Sequence, residues 1–195
     1  MFLLHKPSAS ALDNILQKQA MLGPTYHEIG LTRNGNYPAS GYHVHQVERC
    51  LGRGVETFAQ AASAVRDWKN FSMGWITLHP AVPAIVENAD LIVCAHHAMI
   101  WSINACRIIY VIDEHDRESK RFGFGYGTLP VHSEQGEERF LLRWDAKSDQ
   151  VIYEITAFSR PNSLLVRLGW PVAVLIQNQF RLESITALSD SLNTA

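Results

Sequence analysis

The chain has 195 residues, 47% hydrophobic and 18% charged, with a formal net charge of −2. A domain of this size can bury roughly 70% of its unfolded surface, and so small a net charge gives no electrostatic reason to expect a nucleic-acid or acidic-membrane partner. The opening run MFLLHKPSAS is too short an apolar stretch for a secretory signal, and Leu164–Ile176, broken by Arg167, Gly169 and Pro171, falls short of the ~20 residues a membrane span needs. Cys50, Cys94 and Cys106 form no CxxC pair and all lie in strand patterns. They read as buried free thiols in a reducing compartment, so the expectation is a soluble, cytoplasmic single domain over residues 1–195.

Ala9–Ala20 has Leu12, Ile15, Leu16 and Gln19 at helical spacing and is stopped by Gly23-Pro24. A helix of a dozen residues is not stable alone, so 1–41 is read as an N-terminal extension packed on a body of 42–190. His43–Leu51 reads as a strand ended by Gly52 and Gly54. Val55–Lys69 reads as a helix whose stripe is Phe58, Ala61, Ala62, Val65 and Trp68, with Glu56 in the first turn. Trp75–His79, Leu91–His97 and Ala105–Asp113 read as strands. Between the last two, Ala98–Asn104 holds Met99 and Trp101, too apolar for a solvated loop, so it either folds inward or meets a partner. Glu114–Lys120 is a polar surface turn.

The most informative stretch is Arg121–Arg160. Phe122, Phe124 and Tyr126 share one face of a strand while Gly123, Gly125 and Gly127 leave the other bare, an arrangement that bends a sheet or admits close approach. Glu138, Phe140, Leu142 and Trp144 alternate with Arg139, Leu141, Arg143 and Asp145, and after the DAKSD turn Val151–Phe158 returns as the partner strand. From Pro161 the period becomes helical, with Asn162 or Ser163 as cap. The expected stripe is Leu165, Leu168, Val172, Leu175, Ile176, Ile185 and Leu188, with a kink at Pro171.

Antiparallel strands with a terminal helix make an α+β domain. The order over 43–188 resembles the START-like helix-grip fold, which implies a curved antiparallel β-sheet gripping the long C-terminal helix with a cavity between them. Specific strings point further. They are Gly41-Tyr42 with His45, Leu51-Gly52 with Gly54, Asn104-Ala105-Cys106-Arg107 with Tyr110 and Val111, RFGFGYGTLPVHSEQGEERF at 121–140, and YEITAFSRP at 153–161. Across nearly the whole chain they resemble the domain of unknown function 1990 family, also catalogued as uncharacterised family 0548. That resemblance implies no activity.

Tyr126, Thr128, His132, Glu134, Glu137 and Glu138 concentrate polar groups beside expected core, and a His near carboxylates suits proton transfer. His132 and Glu134 are the candidate catalytic pair; the bland alternative is a solvated loop. Arg107 can bind an anionic head group or pair structurally with Glu154, and Asn104 begins the same strand. Trp75 and Tyr126 are ordinary core aromatics that a helix-grip cavity would turn toward a ligand. The candidate ligand-binding set is therefore Trp75, Asn104, Arg107, Tyr126, Thr128 and Glu154. His43, His45, His96 and His97 lack ligand spacing, so neither metal nor cofactor is expected. Three readings follow. The first is binding of a small apolar molecule; the second is a hydrolase or cyclase of the same fold using His132 and Glu134. The third is an interaction module docking through Ala98–Asn104 and the N-terminal segment.

Overall fold

The computed structural model describes residues 1–162, 166–167 and 170–193. Among these, strands β1 (Phe2–Leu3), β2 (His43–Arg53), β3 (Ile76–His79), β4 (Asp90–His97), β5 (Ile100–His115), β6 (Ser119–Thr128), β7 (Glu134–Asp145) and β8 (Gln150–Pro161) form one antiparallel sheet. Its order is β2-β8-β7-β6-β5-β4-β3, with β1 added on β5. Helices α1 (Ala9–Ala20), α2 (Val55–Arg66) and α3 (Trp170–Asn193) complete it. The curved antiparallel sheet with its C-terminal helix is the expected helix-grip arrangement.

The alternation on β6 separates the two faces. Phe122, Phe124 and Tyr126 enter the inner core with Phe140, Leu142, Tyr153 and Ile155, under α2 and the Phe180–Leu188 part of α3. On the outer face a β-carbon at Gly125 would overlap the Tyr110 ring, and one at Gly127 would overlap Tyr26. Those bare positions are therefore seats for rings. The N-terminal extension covers this outer face. Leu12 of α1 packs with Ile92, Cys94, Ile103, Ala105 and Leu129.

Farther along, the extension is held by one buried carboxylate. Glu137 accepts from the Tyr26 hydroxyl (2.8 Å), the Gly30 amide (2.7 Å) and the Thr32 amide (3.0 Å), and from Thr32 Oγ1, which in turn is 2.6 Å from the Tyr110 hydroxyl. Arg107 secures the end of α1. It pairs with Asp90 at 2.6 Å and 2.9 Å and donates to the carbonyls of Ala20 and Leu22. Its partner is Asp90 and not Glu154, because the register sets Asp90 directly across from it.

Several expectations are corrected. Ala98 and Met99, both at positive φ, are the two-residue turn of the β4–β5 hairpin, and the strand resumes at Ile100. Trp101 is half-buried against His96 at 4.5 Å, while Met99 stands 81% exposed at the tip. Cys50 is exposed on edge strand β2. On α3 the buried side chains include Phe180, Arg181, Ser184, Ile185 and Leu188, whereas Val172 and Leu175 are exposed. Apolar residues are spread nearly evenly around this helix, so periodicity alone could not choose its inner face. Ser163, Leu165 and Leu168 fall outside the described residues, as does Gly169 in the turn preceding Pro171 where a kink would lie.

Glu137→Gln places an amide donor among donors, and a loss of about 2–3 kcal/mol in urea unfolding is expected. Gly125→Ala sets a methyl against the Tyr110 ring and should lower stability by about 1–3 kcal/mol; an unchanged midpoint would show that the ring yields freely.

Candidate functional site

Between the inner face of the sheet and α3 lies a cavity of about 200 Å³ with a mostly apolar wall. Trp75, Ile76, Val93, Ile176 and Phe180 contribute apolar surface, and Tyr126, Glu134, Glu138, Gln177 and Arg181 the polar part. Trp75 is fixed by its indole, which donates to Glu183 of α3 at 2.6 Å. The Tyr126 hydroxyl donates to Glu138 at 2.7 Å, and Arg181 Nε lies 3.6 Å from the other oxygen of that carboxylate. The Arg181 terminal nitrogens are taken up by Asn178 and Gln177 of its own helix, at 3.1 Å and 3.4 Å.

Of the candidate residues, Trp75, Asn104, Tyr126, Thr128, His132 and Glu134 all line this cavity. Arg107 and Glu154 do not. Arg107 lies at the α1 side of the sheet, and buried Glu154 pairs with Arg139 and accepts from Thr156 at 2.8 Å. Strand alternation explains this, since Tyr153 and Ile155 take the inner face of β8. Asn104 and Thr128 also hold the neighbouring turn in place: Asn104 Oδ1 accepts from the Ser133 hydroxyl at 3.0 Å, and Thr128 Oγ1 from the Gly136 amide at 3.0 Å.

His132 is carried by the β6–β7 turn, which Asn162 ties down through the carbonyls of Pro130 and His132 at 3.2 Å and 2.9 Å. Burial, with the Met1 ammonium adding to it, pushes the imidazole down to about 3. Its Nδ1 accepts the Glu134 amide proton at 2.9 Å. The ring is therefore neutral near pH 7 and keeps its proton on Nε2. Burial pushes the Glu134 and Glu138 carboxyls up; Ser159, Gln177 and Arg181 oppose this at Glu134, and Arg181 and Tyr126 oppose it at Glu138. Among the described residues no group of three His, Cys, Asp or Glu side chains is placed to hold a metal ion.

Arg181 is the important wall residue that strand-by-strand reading of the sequence passes over. Gln177, Arg181 and Ser184 recur at i, i+4 and i+7 along the helix, and this polar line was the available signal. It marks where α3 meets the polar wall, and Ser184 lies 3.2 Å from the Tyr153 hydroxyl.

Comparison with known proteins bears on the family. The sequence profile of the domain of unknown function DUF1990 matches residues 25–187. A UPF0548 protein of Dictyostelium discoideum is 36% identical over 152 residues, covering 74% of this chain and 70% of that protein. One of Deinococcus radiodurans is 31% identical over 194 residues, covering 92% of each. The chain belongs to this family. Among solved structures it is similar to Ara h 8.0201 with a TM-score of 0.46 and 12% identity, over 80% of this chain and 100% of that one. A norcoclaurine synthase from Thalictrum flavum gives a TM-score of 0.43 at 11% identity, over 77% and 84%.

The titration of His132 has a testable sign. A folded-state value depressed to about 3 contributes stability that is complete above the ordinary histidine value of roughly 6.5 and is lost as pH falls from there toward 3. His132→Gln keeps an acceptor for the Glu134 amide but does not titrate. Urea unfolding at pH 7 and pH 4 should show wild type losing more than the variant, by on the order of 2 kcal/mol after allowing for partial exposure.

Proposed function

We propose that this DUF1990 protein binds a small, largely apolar molecule in the cavity between the curved sheet and α3, in the reducing environment of the cytoplasm. The observation that carries the reading is a partly open cavity between the sheet and α3, walled by Trp75, Val93, Ile176 and Phe180. Protein interiors ordinarily pack to crystal density, and concave, mostly apolar cavities with a few convergent polar groups are the usual form of small-molecule sites. Free Cys50, Cys94 and Cys106 support the compartment.

Catalysis by His132 and Glu134 is a second reading, favoured by their shared place on the cavity wall. It ranks lower because neutral His132, with Nδ1 occupied by the Glu134 amide, offers Nε2–H as a donor and no free nitrogen to accept a proton.

Saturable fluorescence of the neutral dye Nile red tests the binding reading. Ala157, 4% exposed and on the cavity wall, can be enlarged to fill it. Wild type should bind the dye, and Ala157→Trp, shown by circular dichroism to be folded, should weaken binding at least tenfold. Equal binding by the two proteins, or none by wild type, counts against it.

A further inference from the structure

The polar wall of the cavity holds more carboxyls than cationic groups. Glu134 and Glu138 supply two carboxyls and Arg181 a single guanidinium, all facing the same space. Arg181 lies beside Glu138, and among the described residues no cation comes within 4.0 Å of Glu134. His132 adds no positive charge near pH 7, since its protonation is pushed down to about 3. The Met1 ammonium is engaged by the carbonyls of Ile103 and Val131 and is not part of the wall.

Hydrogen bonding is incomplete at the same place. Ser159, 8% exposed and on the cavity wall, sits beside Glu134, yet its Oγ makes no hydrogen bond of ordinary geometry. A half-buried carboxyl with no cation in contact is favoured by keeping its proton or by taking a cation, since a poorly solvated unpaired charge is costly. A primary ammonium brings one positive charge and three donors, which Glu134 and the Ser159 hydroxyl oxygen can accept. The rings of Trp75, Tyr126 and Phe180 around the same space suit a cation and its apolar stem alike.

Resting on the cavity reading, we propose that the ligand is a small lipophilic amine, bound as its cation, with Glu134 as counter-ion and Ser159 as second acceptor. The inference concerns the charge of the head group and leaves the apolar stem to the shape of the wall.

Three probes of one stem separate the possibilities: hexylamine, 1-hexanol and hexanoate, each displacing Nile red at pH 7.5. Hexylamine should displace the dye at concentrations about ten- to a hundredfold below those of 1-hexanol, as a charge-assisted hydrogen bond implies, and hexanoate should be the weakest. Glu134→Gln should bring hexylamine to the level of 1-hexanol measured on the same variant. The ranking of probes on wild type tests the inference even if that variant does not fold. If 1-hexanol matches hexylamine, or hexanoate is tightest and Arg181 is the recognition group, the amine assignment is overturned while the cavity reading stands. A dye that never binds wild type overturns the cavity reading and the assignment with it.

Discussion

On β6 the aromatic side chains Phe122, Phe124 and Tyr126 face inward and every outward position from 123 to 127 is glycine, and the rest of the molecule accommodates that division. Rings from two other parts of the chain, Tyr110 and Tyr26, settle onto the bare outer positions. Such contact requires the absence of a β-carbon and would be lost to any other residue. The inner aromatics build one side of a core that α2 and α3 close from the other. Because bulk is concentrated on one face and removed from the other, the same strand supports the packed core, the Tyr126 wall of the cavity and the seat of the N-terminal extension.

β7 repeats the division with polar groups. The Glu137 carboxylate gathers four donors from the extension, while Glu134 lines the cavity and Glu138 pairs there with Tyr126 and Arg181. The first carboxylate is fully occupied and therefore structural. On the inward side one guanidinium is shared between two carboxyls in a wall that is otherwise largely apolar. Chemically similar residues a few positions apart thus acquire different roles from the face they occupy and from how completely their lone pairs are satisfied.

Much of the layout was legible in the chain. The alternation of β7 and β8 around DAKSD, the stripe Phe58–Trp68 and the glycine face of β6 each follow from short-range periodicity, and each is found in the sheet, in α2 and its continuation, and in the core. Strand alternation also brought most candidate residues to one wall. Arg107 and Glu154 were misplaced because their roles depend on which residue lies across the strand, and register is not visible in one strand taken alone. The inner face of α3 was read only in part for a related reason: Ile176, Ile185 and Leu188 face inward as expected while Val172 and Leu175 do not, because with apolar side chains all round the orientation is set by what the helix packs against.

The sequence by itself determined that the sheet is antiparallel and bent, that a helix closes it, and that His132, Glu134 and Tyr126 fall close together, since period and turn chemistry act over a few residues. Only the tertiary structure decided that Arg181 comes to lie beside Glu138, that the Glu137 carboxylate holds residues 26–32, and that, among the described residues, no cation comes within 4.0 Å of Glu134. Those facts join positions from 43 to 111 residues apart along the chain, and charge balance inside a cavity is a property of the elements that enclose it.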